Sequence, residues 1–129
     1  MVIDTSALVA IVREEPEAET LAAYLSHDDQ PCLSAASLLE AHLVLSRSPQ
    51  HVVLLSELLA QAEVQIIPVT LEIVTAARRA CDKYGRGTQA ALNFGDLFSY
   101  ATAKTLGMPL LFKGGDFAYT DIQRVVLKQ

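Results

Sequence analysis

Tryptophan is missing from the 129 residues, cysteine occurs only twice and histidine three times. Cys32 and Cys81 stand alone, with no CxxC or Cys/His spacing, which favours two reduced, packed thiols over a disulfide or a zinc site. His27, His42 and His51 have no second ligand at a metal-binding interval and read as surface residues. No apolar run approaches the roughly 20 residues of a membrane span. The apolar start Met1 to Val12 is interrupted by Asp4 and carries no cationic leader, so it does not read as a secretion signal, and a cytoplasmic protein is expected. Repeats, low-complexity tracts and linker-like runs are also lacking, while 51% hydrophobic residues and a mean hydropathy of +0.29 leave no room for disorder. One domain over residues 1–129 is expected. Positive charge is scarce: Lys and Arg number 10 against 15 acids, and the net charge of −5 argues against holding nucleic acid by bulk positive charge.

What the chain does have is alternation of short β-rich runs with helical periodicity. Met1 to Ile3 reads as a strand feeding a helix that continues through Val12. Pro16 reads as the first residue of a second helix, with Ala18, Leu21, Ala22 and Leu25 inward and Glu17, Glu19 and Asp28 on a solvated face. Pro31 to Ser34 reads as a strand and Ala35 to Ser46 as a third helix, whose buried stripe is Ala36, Leu39, Leu43 and Val44 with Glu40 inside it. Pro49 to Gln61 follows as a helix, then Val64 to Val69 as a β-branched strand. Thr70 to Tyr84 sets Leu71, Val74, Ala77 and Cys81 against Arg78, Arg79 and Lys83, an amphipathic helix with a basic outer side, closed by the turn Gly85 to Thr88. Asn93 is a good N-cap and Gly107 with Pro109 a good stop, so a helix is expected over 93–106. Met108 to Phe112 reads as a strand, Lys113 to Phe117 as the loop after it, and Val125 to Leu127 as a closing edge strand. The fold class is therefore α/β: a three-layer α/β/α sandwich on a mostly parallel central sheet.

Four acids take exceptional places in that plan. Asp4 follows the first strand, where it serves either as a helix N-cap or at the ligand-binding carboxyl edge of the sheet. Glu40 lies in an apolar stripe, although Ser37-Leu38-Leu39-Glu40 also spells a capping box. Asp96 is in the first turn of the helix at 93–106, three residues after its cap, a capping-box position as well. Asp116 follows two glycines and is equally a turn residue. Together they occupy one edge of a parallel sheet with no matching Arg or Lys, so they repel one another unless a cation holds them. Oxygen-only ligands point to Mg²⁺ or Mn²⁺, ions that work on phosphate oxygens, and so to phosphodiester hydrolysis.

These residues also carry a family resemblance. Asp4-Thr5-Ser6-Ala7, Glu40, Tyr84-Gly85-Arg86-Gly87, Ala91-Leu92-Asn93-Phe94-Gly95-Asp96 and the run from Leu111 to Asp121 resemble the signature of PIN-domain ribonucleases, and within them the VapC toxins of bacterial toxin–antitoxin pairs. The resemblance implies that Asp4 and Asp96 are the main metal ligands, that Glu40 and Asp116 complete the acidic site, and that Ser6 and Asn93 are supporting polar groups. It implies an RNA substrate, a cognate antitoxin and a homodimer. The chain departs from the family at Gly115, where an acid or Asn is common, and near Thr88, where a basic residue or His is common.

Taking four site acids off −5 leaves −1, as two divalent ions would, so a metal-loaded protein is nearly neutral. Arg78, Arg79, Lys83 and Arg86 are then candidate RNA contacts, or a plain solvated helix face. Two alternatives belong to other classes. A catalytically inactive PIN-fold RNA-binding or interaction module would keep the fold and lose metal affinity. A phospho-acceptor signalling domain would cluster acids at the same sheet edge without needing Glu40.

Overall fold

In the computed structural model, which describes residues 1–126, four strands and six helices alternate as the periodicity predicts. They are β1 (Val2–Ile3), α1 (Thr5–Val12), α2 (Ala18–Ser26), β2 (Cys32–Ser34), α3 (Ala35–Leu45), α4 (Pro49–Gln61), β3 (Gln65–Ile67), α5 (Leu71–Tyr84), α6 (Phe94–Leu106) and β4 (Leu110–Leu111). The sheet order is β3-β2-β1-β4 and every pair is parallel, with Val2 beside Cys32 and Leu110.

Alternation along these short strands makes two cores. Ile3, Leu33 and Leu111 face α1 to α4, packing with Leu8, Leu21, Leu25, Ala41, Leu45 and Leu55. Val2, Cys32, Leu110 and Phe112 face the other way, onto Ala80, Leu92, Tyr100 and Ala103 of the α5–α6 side. A helical layer on each face is what a parallel sheet needs, since its crossovers carry the helices.

Helix starts follow local chemistry. Ser34, Ser48 and Thr70 cap α3, α4 and α5 through side-chain oxygens that accept backbone N–H bonds, and Pro49 opens α4. Gly107 closes α6 at φ 66°, a left-handed geometry that glycine adopts without Cβ strain.

Several expectations are corrected. The second helix begins at Ala18, not Pro16, and Glu17 makes no side-chain cap. Its acids are not all simply solvated, because Glu17 pairs with Lys113 at 3.2 Å and Asp28 with the Met1 amino group at 2.9 Å. The buried side of α3 is Ser37, Ala41 and Leu45, while Leu39 is 60% and Leu43 63% exposed. The stripe of α5 is shifted likewise, to Ile73 and Ala80, leaving Leu71 and Cys81 exposed; Cys32 alone is a packed thiol. The closing edge strand is reduced to one parallel bridge between Arg124 and Leu110, and Leu127 lies outside the described residues.

Candidate active site

The carboxyl edge of the sheet gathers the ends of β1, β2 and β4, and α6 brings its N-terminus there. Asp4 leaves β1 with its backbone N–H bonded to Leu111 O at 2.8 Å, which ties it to β4. Its side chain is 4% exposed and caps α1, accepting from the Ser6 N–H at 3.0 Å. One carboxylate oxygen is enough for that bond, so capping and ligand duty are compatible. Ser6 in turn accepts from the Lys113 N–H through its hydroxyl at 3.0 Å, fixing the start of the loop that carries Asp116. Asp116 itself is exposed.

Glu40 is not a capping-box acid, because α3 starts at Ala35 under Ser34, whose hydroxyl accepts from Ala36 N at 3.2 Å. Its carboxylate rests against the first turn of α6. A Cβ built on Gly95 would fall inside that carboxylate, 2.6 Å from its carbon, so the Glu40 carboxylate keeps this seat because residue 95 has no side chain.

Asp96 is both a cap and a site residue. It completes the capping box, accepting from Asn93 N at 3.0 Å while the Asn93 side chain accepts from Asp96 N at 2.9 Å. Its pKa nevertheless rises from the ordinary 3.8 to about 6. Burial is the main cause, the Asn93 N–H opposes it, and the charges of Asp4, Asp116 and Glu40 add to it. The four acids singled out in the sequence thus share one electrostatic neighbourhood. Among the described residues, no three His, Cys, Asp or Glu side chains close up as a preformed metal cage. Four like charges without a counter-ion stand apart, and Mg²⁺ needs only one or two carboxylates beside its waters. The all-oxygen donor set and the mutual repulsion fit a hard divalent ion.

Nearby cations do not neutralise the site. Lys113 is drawn to Glu15 at 2.6 Å and Glu17 at 3.2 Å. Arg124 lies 4.3 Å over the Phe112 ring and donates to Gly114 O at 3.3 Å. Arg78, Arg79, Lys83 and Arg86 are exposed and, among the described residues, form no ion pair with an acid; Arg79 and Lys83 line a hollow of about 570 Å³ between α5 and α6 with Lys104 and Tyr100. Thr88, at a family departure, donates to Gly85 O at 2.7 Å and accepts from Ala91 N at 3.3 Å, a loop-bracing role.

Sequence reasoning missed the hydroxyls beneath the acids. Thr5 donates to Ser37 O at 3.3 Å, and the Ser37 and Ser99 hydroxyls pair at 3.2 Å. The signal was available, since Ser37 and Ser99 stand one helical turn from Glu40 and Asp96. It also missed Phe94, which is 79% exposed beside the site.

The family model described as PIN domain matches residues 1–123. Ribonuclease VapC28 of Mycobacterium tuberculosis is 44% identical over 130 residues, covering 98% of each chain. Ribonuclease VapC of Mycolicibacterium smegmatis is 46% identical over 128 residues, covering 97% of this chain and 99% of its own. Among solved structures, the M. tuberculosis toxin VapC20, which cleaves the sarcin-ricin loop, superposes with a TM-score of 0.78 at 19% identity, covering 96% of this chain and 97% of its own. A chain of a toxin–antitoxin complex from Klebsiella pneumoniae reaches 0.71 at 20% identity, covering 93% and 92%. With the four-acid sheet edge in place and relatives matched nearly end to end, the chain belongs to the PIN domain family, among its VapC ribonucleases.

Proposed function

We propose that Asp4, Glu40, Asp96 and Asp116 hold Mg²⁺ or Mn²⁺ and that the protein is an endoribonuclease toxin hydrolysing RNA phosphodiester bonds. The observation that carries this is the meeting of four carboxylates at one sheet edge; burial first, and then the charges of Asp4, Asp116 and Glu40, raise the pKa of Asp96. When bound, a divalent ion there polarises a phosphoryl oxygen and acidifies an attacking water. The chain's own residues supply the frame. Asp4 is buried and oriented by Ser6 N, Asp96 is oriented by Asn93 N, and Ser6 ties the start of the Asp116 loop to the first turn of α1. Asp96 must be ionised to act as a ligand, so metal affinity rises with pH through about 6.

Arg78, Arg79, Lys83 and Arg86 are the proposed track for the RNA backbone. A small antitoxin and a second copy of the chain are the proposed protein partners, and the exposed Leu39, Leu43, Val44, Val53 and Leu54 offer the apolar surface such contacts use. The antitoxin silences the site by placing an Arg among the carboxylates, a charge-assisted contact. Among the described residues no helix is long and apolar enough to cross a membrane, which is compatible with the proposed cytoplasmic location.

Purified protein is incubated with single-stranded or looped RNA in Mg²⁺, Mn²⁺ or EDTA, and the cut ends are sequenced. Cleavage leaving a 5′-phosphate, lost in EDTA and in Asp96→Asn, is expected. Cutting that ignores EDTA, or a 2′,3′-cyclic phosphate product, would overturn the metal-assisted reading.

A further inference from the structure

We propose that Phe94 is a stacking platform for an unpaired nucleobase next to the scissile phosphate, and so a determinant of single-stranded or looped substrates; this rests on the ribonuclease reading above. An isolated exposed Phe needs no explanation. What singles this one out is its place and its rigidity. Phe94 is 79% exposed, yet its ring is held edge-to-face against Phe98, centroids 4.9 Å apart and planes at 85°. Its backbone is the first turn of α6, locked by the Asn93–Asp96 capping box. An aromatic ring fixed before binding loses little freedom on stacking.

Geometry sets it next to the seat of Glu40. Side chains advance by about 100° per residue around a helix, so Phe94, Gly95 and Asp96 follow one another around the end of α6. Glu40 lies on Gly95, which puts Phe94 on the flank of Glu40 away from Asp96. A strand with its phosphate at Glu40 and Asp96 that runs on past Glu40 brings its next nucleotide toward Phe94.

Electrostatics explains why a base face is the useful handle there. The protein carries −5, and the two cations closest in sequence to Asp116 are engaged, Lys113 by Glu15 and Glu17 and Arg124 by Phe112 and Gly114 O. Phosphates gain little from these two cations. The flat, uncharged face of a base can still bind, and every base has one.

The chain contains no Trp, so Phe94→Trp places its sole indole at the proposed contact. In an Asp96→Asn background that cannot cleave, a single-stranded oligoribonucleotide should quench the indole and a blunt RNA duplex should not. In the active protein, Phe94→Ala and Phe94→Leu should lower kcat/KM by roughly 5- to 150-fold, mainly through KM, with Phe94→Trp restoring most of the loss. Leu keeps apolar bulk but has no π-face, so its failure to substitute separates stacking from packing. An unquenched indole, or Phe94→Leu cleaving with wild-type KM, would overturn the proposal while leaving the ribonuclease reading intact. So would Phe94→Ala turning a dimer into a monomer by light scattering at unchanged kcat/KM, which would assign the ring to contact between copies. Wild-type protein that cuts no RNA would instead sink the reading beneath it.

Discussion

The Ser37 hydroxyl meets the Ser99 hydroxyl at 3.2 Å in the buried seam between α3 and α6, three residues before Glu40 and three residues after Asp96. Thr5, next to Asp4, donates to the Ser37 carbonyl at 3.3 Å, so three hydroxyls bind together the helices that carry three of the acids.

Removing either serine hydroxyl strands the other in a site fully shielded from water. Ser37→Ala and Ser99→Ala should each destabilise the protein by roughly 1–3 kcal/mol, while the double substitution should cost less than their sum because it leaves no orphan. Urea unfolding measures this. If the pair also sets the α3–α6 register, each single variant binds Mn²⁺ more weakly by calorimetry; strict additivity and unchanged Mn²⁺ affinity would reduce the pair to ordinary packing.

Asp96 makes the metal-free protein sensitive to mild acid in a defined direction. With a folded pKa of about 6 against 3.8 for an ordinary Asp, the folded chain holds more protons at this position than the unfolded chain between those values. Stability in EDTA should therefore fall as pH rises from about 4 to about 6 and stay at the lower level above, a trend opposite to that of an Asp held by a cation. Asp96→Asn should flatten this segment of the profile and leave the protein as stable or more stable at pH 7. Its Asn side chain can still accept from Asn93 N, whereas Asp96→Ala loses the capping box and should cost about 0.5–2 kcal/mol. Thermal melts of both variants across that pH range check the sign.

The elements were legible because periodicity and caps agreed: Asn93 before, Gly107 after and Asp96 in the first turn define α6 without any tertiary information. That the four acids converge was legible too, since parallel topology brings strand ends together. Less legible was which side of a helix is buried. On α3 apolar residues occur nearly all round, and Leu39, Leu43 and Val44 turned out exposed while Ser37 and Ala41 went inside. Small residues were needed where α3 and α6 approach, and apolarity alone cannot distinguish a core stripe from an apolar surface. Lys113 was illegible for another reason: Glu15 and Glu17 are nearly a hundred residues away in sequence and meet it only through the fold.

The contact between Gly95 and Glu40 separates site assembly from stability. Gly95→Ala adds a methyl group 2.6 Å from the Glu40 carboxyl carbon and 2.7 Å from Oε1. The carboxylate is the end of a flexible, partly exposed side chain, so it yields by swinging away without disrupting the core. Ala also favours the helix by up to about 1 kcal/mol over Gly. The expected variant thus melts at or slightly above the wild-type temperature in EDTA. Its Mn²⁺ affinity and RNA cleavage should nevertheless drop by about 10- to 100-fold, the range for disturbing a group that supports a metal site. Combining Gly95→Ala with Glu40→Ala tests the route, because if the methyl group acts by expelling Glu40, removing Glu40 adds little further loss. A variant that binds Mn²⁺ like wild type, or losses that multiply in full, would show that Glu40 is not held at the site by its seat on Gly95.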